Sequence, residues 1–137
     1  MQYTVREWMM DLVVFIEPEM TVSDALALMR RRYIQSLIVK KTETSPDYGI
    51  LTSTDISDKI VAQGRNPVET KVKDIMSSPL LTVDEGMSLR DCAITMKEHR
   101  IHHLPVVDGE GTIVGMISST DFMVAAEAMG RAPRELS

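Results

Sequence analysis

The chain is poor in cysteine, in aromatic residues, in long apolar runs and in net positive charge, and each shortage closes off a class of function. A single cysteine, Cys92, has no partner for an internal disulfide and cannot build a thiolate-rich zinc site. Lys and Arg number 15 against 20 Asp and Glu, a net charge of −5. Gripping nucleic acid requires a basic face that displaces counterions from phosphates. The overall balance speaks against such a partner and leaves only a local basic patch as a route. No stretch approaches the ~20 apolar residues needed to cross a bilayer. Met1 to Met10 carries Arg6 and Glu7 where a secretion signal would be apolar. These features predict a soluble, cytoplasmic protein with no membrane partner. Neither a phosphate-binding GxxxxGK[ST] loop nor a GxGxxG dinucleotide turn is present. Aromatic residues are limited to one Trp, three Tyr and two Phe, whereas Met reaches 11, which suits flexible filling of a core. With 137 residues, 44% hydrophobic and 26% charged, the chain is long and apolar enough to fold around a real core.

What the sequence does contain is an internal repeat. Val5-Arg6-Glu7-Trp8-Met9 matches Val72-Lys73-Asp74-Ile75-Met76 in kind, 67 residues apart. The same offset relates Met20 to Met87, Asp24 to Asp91, Met29 to Met96, Ile34 to Ile101, Leu37 to Leu104 and Val39 to Val106. One residue is then lost in a turn. Gly49 pairs with Gly115, and Ser53-Thr54-Asp55 with Ser119-Thr120-Asp121, at an offset of 66. The halves divide as 1–66 and 67–137. Units of about 60 residues bury little surface alone, so the two are expected to share one core about an approximate two-fold axis.

Within each half, Val22, Ala25, Leu26 and Met29, and likewise Leu89, Cys92, Ala93 and Met96, recur at helical spacing. Thr21 or Ser23, and Ser88, are placed to cap these helices. Each helix leads to two short β-rich runs separated by turn residues, Leu37–Val39 with Tyr48–Leu51 and Leu104–Val107 with Thr112–Ile117. A further helix follows. Each half thus reads as strand-helix-strand-strand-helix, and the fold class as α/β or α+β.

The sharpest chemical signal is Gly-h-h-[Thr/Ser]-Ser-Thr-Asp, where h is an apolar residue, at a strand-to-helix junction and present twice. Thr52 with Asp55, and Ser118 with Asp121, each fit a capping box that satisfies orphan helix N–H groups. The same N–H groups and hydroxyls also suit a phosphate, and a carboxylate suits a ribose diol, which together describe a nucleotide. The three histidines lack convergent metal-ligand spacing. Cys92 lies on a helix's apolar stripe, where thiols are inert. Arg30-Arg31-Arg32 closes a helix, where cations suit the dipole. No nucleophile or acid–base pair is set for chemistry, so the chain is not expected to be an enzyme.

Val72-Lys73-Asp74-Ile75-Met76, Pro79, Thr82-Val83, Ile101-His102-His103-Leu104-Pro105-Val106-Val107-Asp108 and Gly115-Met116-Ile117-Ser118-Ser119-Thr120-Asp121 strongly resemble a CBS (cystathionine β-synthase) domain. The first half resembles a more divergent copy, with Gln35-Ser36 and Ile38 in place of His102-His103 and Pro105. Nearly the whole chain is therefore similar to a tandem CBS pair, or Bateman module, with repeats 1–66 and 67–137. The resemblance implies a pseudo-two-fold module with two clefts that binds adenosine-containing ligands and dimerises. Such ligands are AMP, ADP, ATP or S-adenosylmethionine, acting as regulators with no cofactor required. By the family's pattern, one cleft combines Ile50, Thr52, Thr54 and Asp55 with Pro79, Leu80, Leu81, Ile101, His102 and His103. Asp55 would hold the ribose, Thr52 and Thr54 the phosphate, and Leu80, Leu81 and Ile101 the base. The other combines Met116, Ser118, Thr120 and Asp121 with Val13, Val14, Ile34 and Gln35.

The histidines occupy positions that carry phosphate-contacting basic residues in nucleotide-sensing relatives. Tighter binding of phosphorylated adenosine is therefore expected at the Asp55 cleft, strengthening as the histidines protonate near 6.5. The repeats span residues 5 to about 126, which predicts a stand-alone sensor signalling to a separate, unidentified effector protein. The alternative is a structural dimerisation module with vestigial clefts.

Overall fold

The computed structural model describes residues 3–44 and 46–131. In chain order the elements are α1 (Val5–Trp8), β1 (Phe15–Ile16), α2 (Val22–Arg32), β2 (Ser36–Val39), β3 (Gly49–Thr52), α3 (Ser53–Ile56), β4 (Val83–Asp84), α4 (Leu89–His99), β5 (His103–Val107), β6 (Ile113–Ser118) and α5 (Ser119–Arg131). A π-helical turn, Ser57–Val61, continues α3, and a short 3₁₀ turn spans Val72–Asp74. Two compact units result. Val14–Leu80 forms a central unit, and Met1–Val13 with Leu81–Ser137 forms a terminal unit.

The expected helices form for the expected reasons. In α2, Val22, Ala25 and Met29 are buried, the Thr21 side chain accepts the Asp24 N–H at 3.1 Å, and Arg30, Arg31 and Arg32 sit in the last turn. In α4, Leu89, Cys92 and Met96 are buried and Ser88 accepts the Asp91 N–H at 3.0 Å. The capping oxygen satisfies an N–H that has no partner inside the helix. Both helices end on a non-glycine residue in the left-handed region, Tyr33 (φ 55°) and Arg100 (φ 54°). The central sheet has the order β1-β2-β3, with β1 parallel and β3 antiparallel to β2 and Leu37 opposite Leu51. The terminal sheet repeats this as β4-β5-β6, with Leu104 opposite Ile117 and an irregularity between Val106 and Val107.

The single shared core expected from unit size is not what forms. Ile16, Val22, Leu37, Leu51, Val72 and Ile75 belong to one buried cluster, and Val5, Val83, Cys92, Leu104, Val106 and Ile117 to another. The physical reason is an exchange of segments. The 72–80 stretch, whose first five residues match residues 5–9 in kind, packs in the central unit; residues 5–13 pack in the terminal unit. Val72 N–H donates to Met20 O at 2.8 Å and Lys73 N–H to Pro18 O at 3.0 Å. In the other unit Val5 N–H donates to Met87 O at 2.9 Å and Arg6 N–H to Glu85 O at 3.0 Å. Each unit thereby gains a fully buried valine, Val72 or Val5. Burying such a side chain is worth about 1.5–3 kcal/mol, which lets each unit close its own core.

Those segments also explain the paired glycines. Ile50 and Ser77 exchange backbone hydrogen bonds at 2.9 Å, as Met116 and Met10 do at 2.8 and 2.9 Å. A Cβ on Gly115 would stand 2.6 Å from Met10 O and 2.8 Å from Met9 Sδ; one on Gly49 would stand 2.5 Å from Met76 Sδ. At Gly115 the obstacle is fixed backbone, whereas at Gly49 the Met76 side chain has to turn aside to admit anything larger than hydrogen. In the central unit the exchanged segment is also held by Glu19, which accepts from Lys71 Nζ at 2.6 Å and Lys73 Nζ at 2.7 Å. These hydrogen bonds lower the Glu19 carboxyl to about 2. Methionine fills core at Met29 and Met96 and stands exposed at Met10, Met123 and Met129.

Candidate functional site

Both Gly-to-Asp strings lie where a strand turns into a helix, β3 into α3 and β6 into α5. Both carboxylates cap their own helix. Asp55 Oδ2 accepts the Thr52 N–H at 2.9 Å and, more weakly, the Thr52 hydroxyl at 3.3 Å; Asp121 Oδ2 accepts the Ser118 N–H at 2.8 Å and the Ser118 hydroxyl at 3.3 Å. The residue just ahead of each hairpin's first strand supplies a further bond to the junction. Gln35 O accepts the Ser53 N–H at 3.3 Å, and His102 O accepts the Ser119 N–H at 3.0 Å.

The remaining oxygens differ. Asp55 is 5% exposed, and its Oδ1 accepts from Lys59 Nζ at 3.0 Å and from the Ser77 hydroxyl at 3.0 Å. Lys59 Nζ also donates to Ile75 O at 2.8 Å. Asp121 is half-buried, and no donor among the described residues reaches its Oδ1. Ser119 and Thr120 beside it are exposed.

The π turn accounts for the reach of Lys59. Lys59 lies four residues after Asp55, the place held in the second repeat by the fully buried Ala125. A lysine there cannot enter the core uncompensated. The wider π turn shifts the register so that Ile60, one residue later, becomes the buried one. Lys59 is left half-buried at the edge, with its ammonium turned onto Asp55.

Of the residues assigned to the first cleft, the central unit holds Ile50, Thr52, Thr54, Asp55, Pro79 and Leu80, and the terminal unit holds Leu81, Ile101, His102 and His103. For the second, the terminal unit holds Met116, Ser118, Thr120, Asp121 and Val13, and the central unit holds Val14, Ile34 and Gln35. Within the terminal unit the β5–β6 register sets His103 directly opposite Ser118. Burial, aided by the adjacent His102, pushes the His103 imidazole below its ordinary value, while Asp121 pulls the other way. The gain of charge expected near 6.5 is thus displaced toward more acid pH for His103. Burial likewise lifts the Cys92 thiol to about 11, which leaves it protonated and unreactive at neutral pH.

Sequence reasoning missed Lys59 and Ser77. The i, i+4 spacing of Asp55 and Lys59 was visible as a helical ion pair. Ser77 comes from the exchanged segment, for which the repeat gave no signal.

A family model described as CBS domain matches residues 5–62 and 72–128. A CBS domain-containing protein of Bacillus subtilis, YhcV, is 32% identical over 121 residues, 88% of this chain and 84% of that protein. A Methanopyrus kandleri protein of uncharacterised function is 33% identical over 111 residues, 81% of this chain. The aligned part is only 56% of that relative's own length. The solved structure of a hexameric CBS-CP12 protein from bloom-forming cyanobacteria superposes with a TM-score of 0.84 at 32% identity, covering 94% of this chain and 74% of that one.

Proposed function

Because this chain belongs to the CBS-domain family and carries two such domains in tandem, we propose that it is a regulatory module sensing an adenosine-containing ligand. The observation that carries this reading is the half-buried Asp121 carboxylate, with one oxygen committed to its helix and the other without a donor among the described residues. A free carboxylate oxygen suits the two adjacent hydroxyls of a ribose. The exposed Ser119 and Thr120 hydroxyls at the start of the 13-residue α5 suit a phosphate or another polar group on the 5′ side. AMP, ADP, ATP and S-adenosylmethionine all carry that ribose, and the ligand is regulatory in that its differential affinity for two arrangements of the protein shifts their populations. A separate effector protein and a cytoplasmic setting belong to the same reading; no described helix is long and apolar enough to cross a membrane.

A second reading, a dimerising scaffold, draws on the exposed apolar side chains Met123, Val124 and Met129 of α5. A thermal-shift panel separates the two. A ligand at 100 times its Kd adds about 2.7 kcal/mol of stability, and Asp121→Ala should abolish the shift. No shift with any of the four compounds would remove the sensing reading and leave the scaffold.

A further inference from the structure

We infer that Lys59 acts as a built-in counterion that withdraws Asp55 from ligand binding, making the first repeat's junction a clasp for the exchanged 72–80 segment and leaving Asp121 as the ribose-binding carboxylate. The inference rests on the sensing reading for its Asp121 half and on geometry alone for its Asp55 half. It reverses the ranking expected from sequence, which favoured the Asp55 cleft.

A carboxylate offers about four acceptor positions, two on each oxygen. All four of Asp55 are in use: the Thr52 N–H and hydroxyl on Oδ2, and the Lys59 ammonium and Ser77 hydroxyl on Oδ1. A diol approaching Oδ1 must displace a charged donor, and charge-assisted bonds are the stronger kind. The displaced ammonium would then keep only Ile75 O. Asp121 demands no such displacement.

Two of the donors bind Asp55 to the exchanged segment. Ser77 belongs to that segment and bonds the carboxylate directly, while Lys59 bridges Asp55 to Ile75 O on it. In the terminal unit the place of Ser77 is taken by Met10, which has no hydroxyl, and the place of Lys59 by Ala125, which has no charge. The second repeat therefore lacks both halves of the clasp. Its segment is held to β6 by the Met10–Met116 backbone pair without help from the carboxylate.

The test uses the full chain, titrated calorimetrically with AMP, ATP and S-adenosylmethionine, alongside amide hydrogen exchange. One equivalent per chain is expected. Asp121→Asn should weaken binding at least tenfold, while Asp55→Asn leaves affinity within twofold and speeds exchange of the Ile75 to Ser77 amides at least tenfold. Lys59→Met should reproduce that faster exchange, and it serves in place of Asp55→Asn if the latter does not fold. Lys59→Arg, which keeps the charge, should restore slow exchange. A tenfold loss of affinity in Asp55→Asn with unchanged exchange at 75–77 overturns the inference, as does binding of two equivalents by the wild type. If none of the three compounds binds the wild type, the sensing reading falls. The clasp is then decided by exchange alone: acceleration in Asp55→Asn and Lys59→Met upholds it, and no change refutes it.

Discussion

The two strand-to-helix junctions start from nearly the same seven residues and end in opposite electrostatic states. Asp55 is sunk, saturated with donors and neutralised by Lys59; Asp121 is half-open and has one oxygen uncommitted among the described residues. The difference does not lie in the shared string. It comes from two positions outside it, Lys59 against Ala125 and Ser77 against Met10. A duplicated motif is therefore no guarantee of a duplicated site. What a carboxylate can do depends on which donors its neighbours bring, and a single lysine one helical turn away is enough to claim it.

The comparison can be broken first at the glycines. Gly115→Ala drives a methyl into the Met10 carbonyl, backbone that cannot step aside, and should cost about 3 kcal/mol in urea denaturation. Gly49→Ala meets the end of the Met76 side chain first, which can turn away, and should cost about 1 kcal/mol. Equal losses would mean that the two contacts yield alike. Next come the carboxylates themselves. Asp55→Asn leaves the half-buried Lys59 ammonium short of its counter-charge and should lower stability by about 2 kcal/mol. Asp121→Asn keeps an oxygen that can accept the Ser118 N–H and loses only the negative charge at the helix start, which should cost less than about 1 kcal/mol. Chemical denaturation of both variants measures the gap.

Smaller effects sharpen what the repeats share. Tyr33 and Arg100 both hold left-handed backbone that glycine adopts without steric cost, so Tyr33→Gly and Arg100→Gly should each stabilise by up to about 1 kcal/mol, read as a rise in Tm. The smallest effect is specific to the terminal unit. His103 binds a proton less readily folded than unfolded, so the unfolded state takes up more protons below about 6.5. Stability should hold above that pH and decline as pH falls through the window beneath it. His103→Gln should flatten the decline, measured by denaturation midpoints between pH 5 and 8.

The helices, hairpins and caps were legible because each is dictated locally. Helical spacing at Val22, Ala25 and Met29, a threonine or serine ahead of the first turn and a polar break between two β-rich runs each specify a structure within a few residues. Family membership was legible for the same reason, through short strings such as Gly115 to Asp121. What could not be read was which copy a segment joins. Val5 and Val72 are equivalent in sequence, and either could have filled either core; the choice is made by long-range packing. The π turn was equally hidden, because Lys59 demands it only once the core beneath has been assigned to Ile60. The contrast between Asp55 and Asp121 follows from both hidden facts, and so it reversed an expectation drawn from the histidines.

The exchange of segments also bears on how the chain reaches its native state. The central unit is one uninterrupted stretch, Val14–Leu80, whereas the terminal unit is assembled from both sides of it. Bonds such as Val5 N–H to Met87 O close a loop that contains the whole central unit. Loop closure is an entropic debt that grows with the number of disordered residues spanned, so the terminal unit gains most once the intervening stretch has already collapsed. The connectivity thereby predicts that the middle of the chain condenses before the terminal unit closes, which pulse-labelled hydrogen exchange during refolding would show as earlier protection within Val14–Leu80.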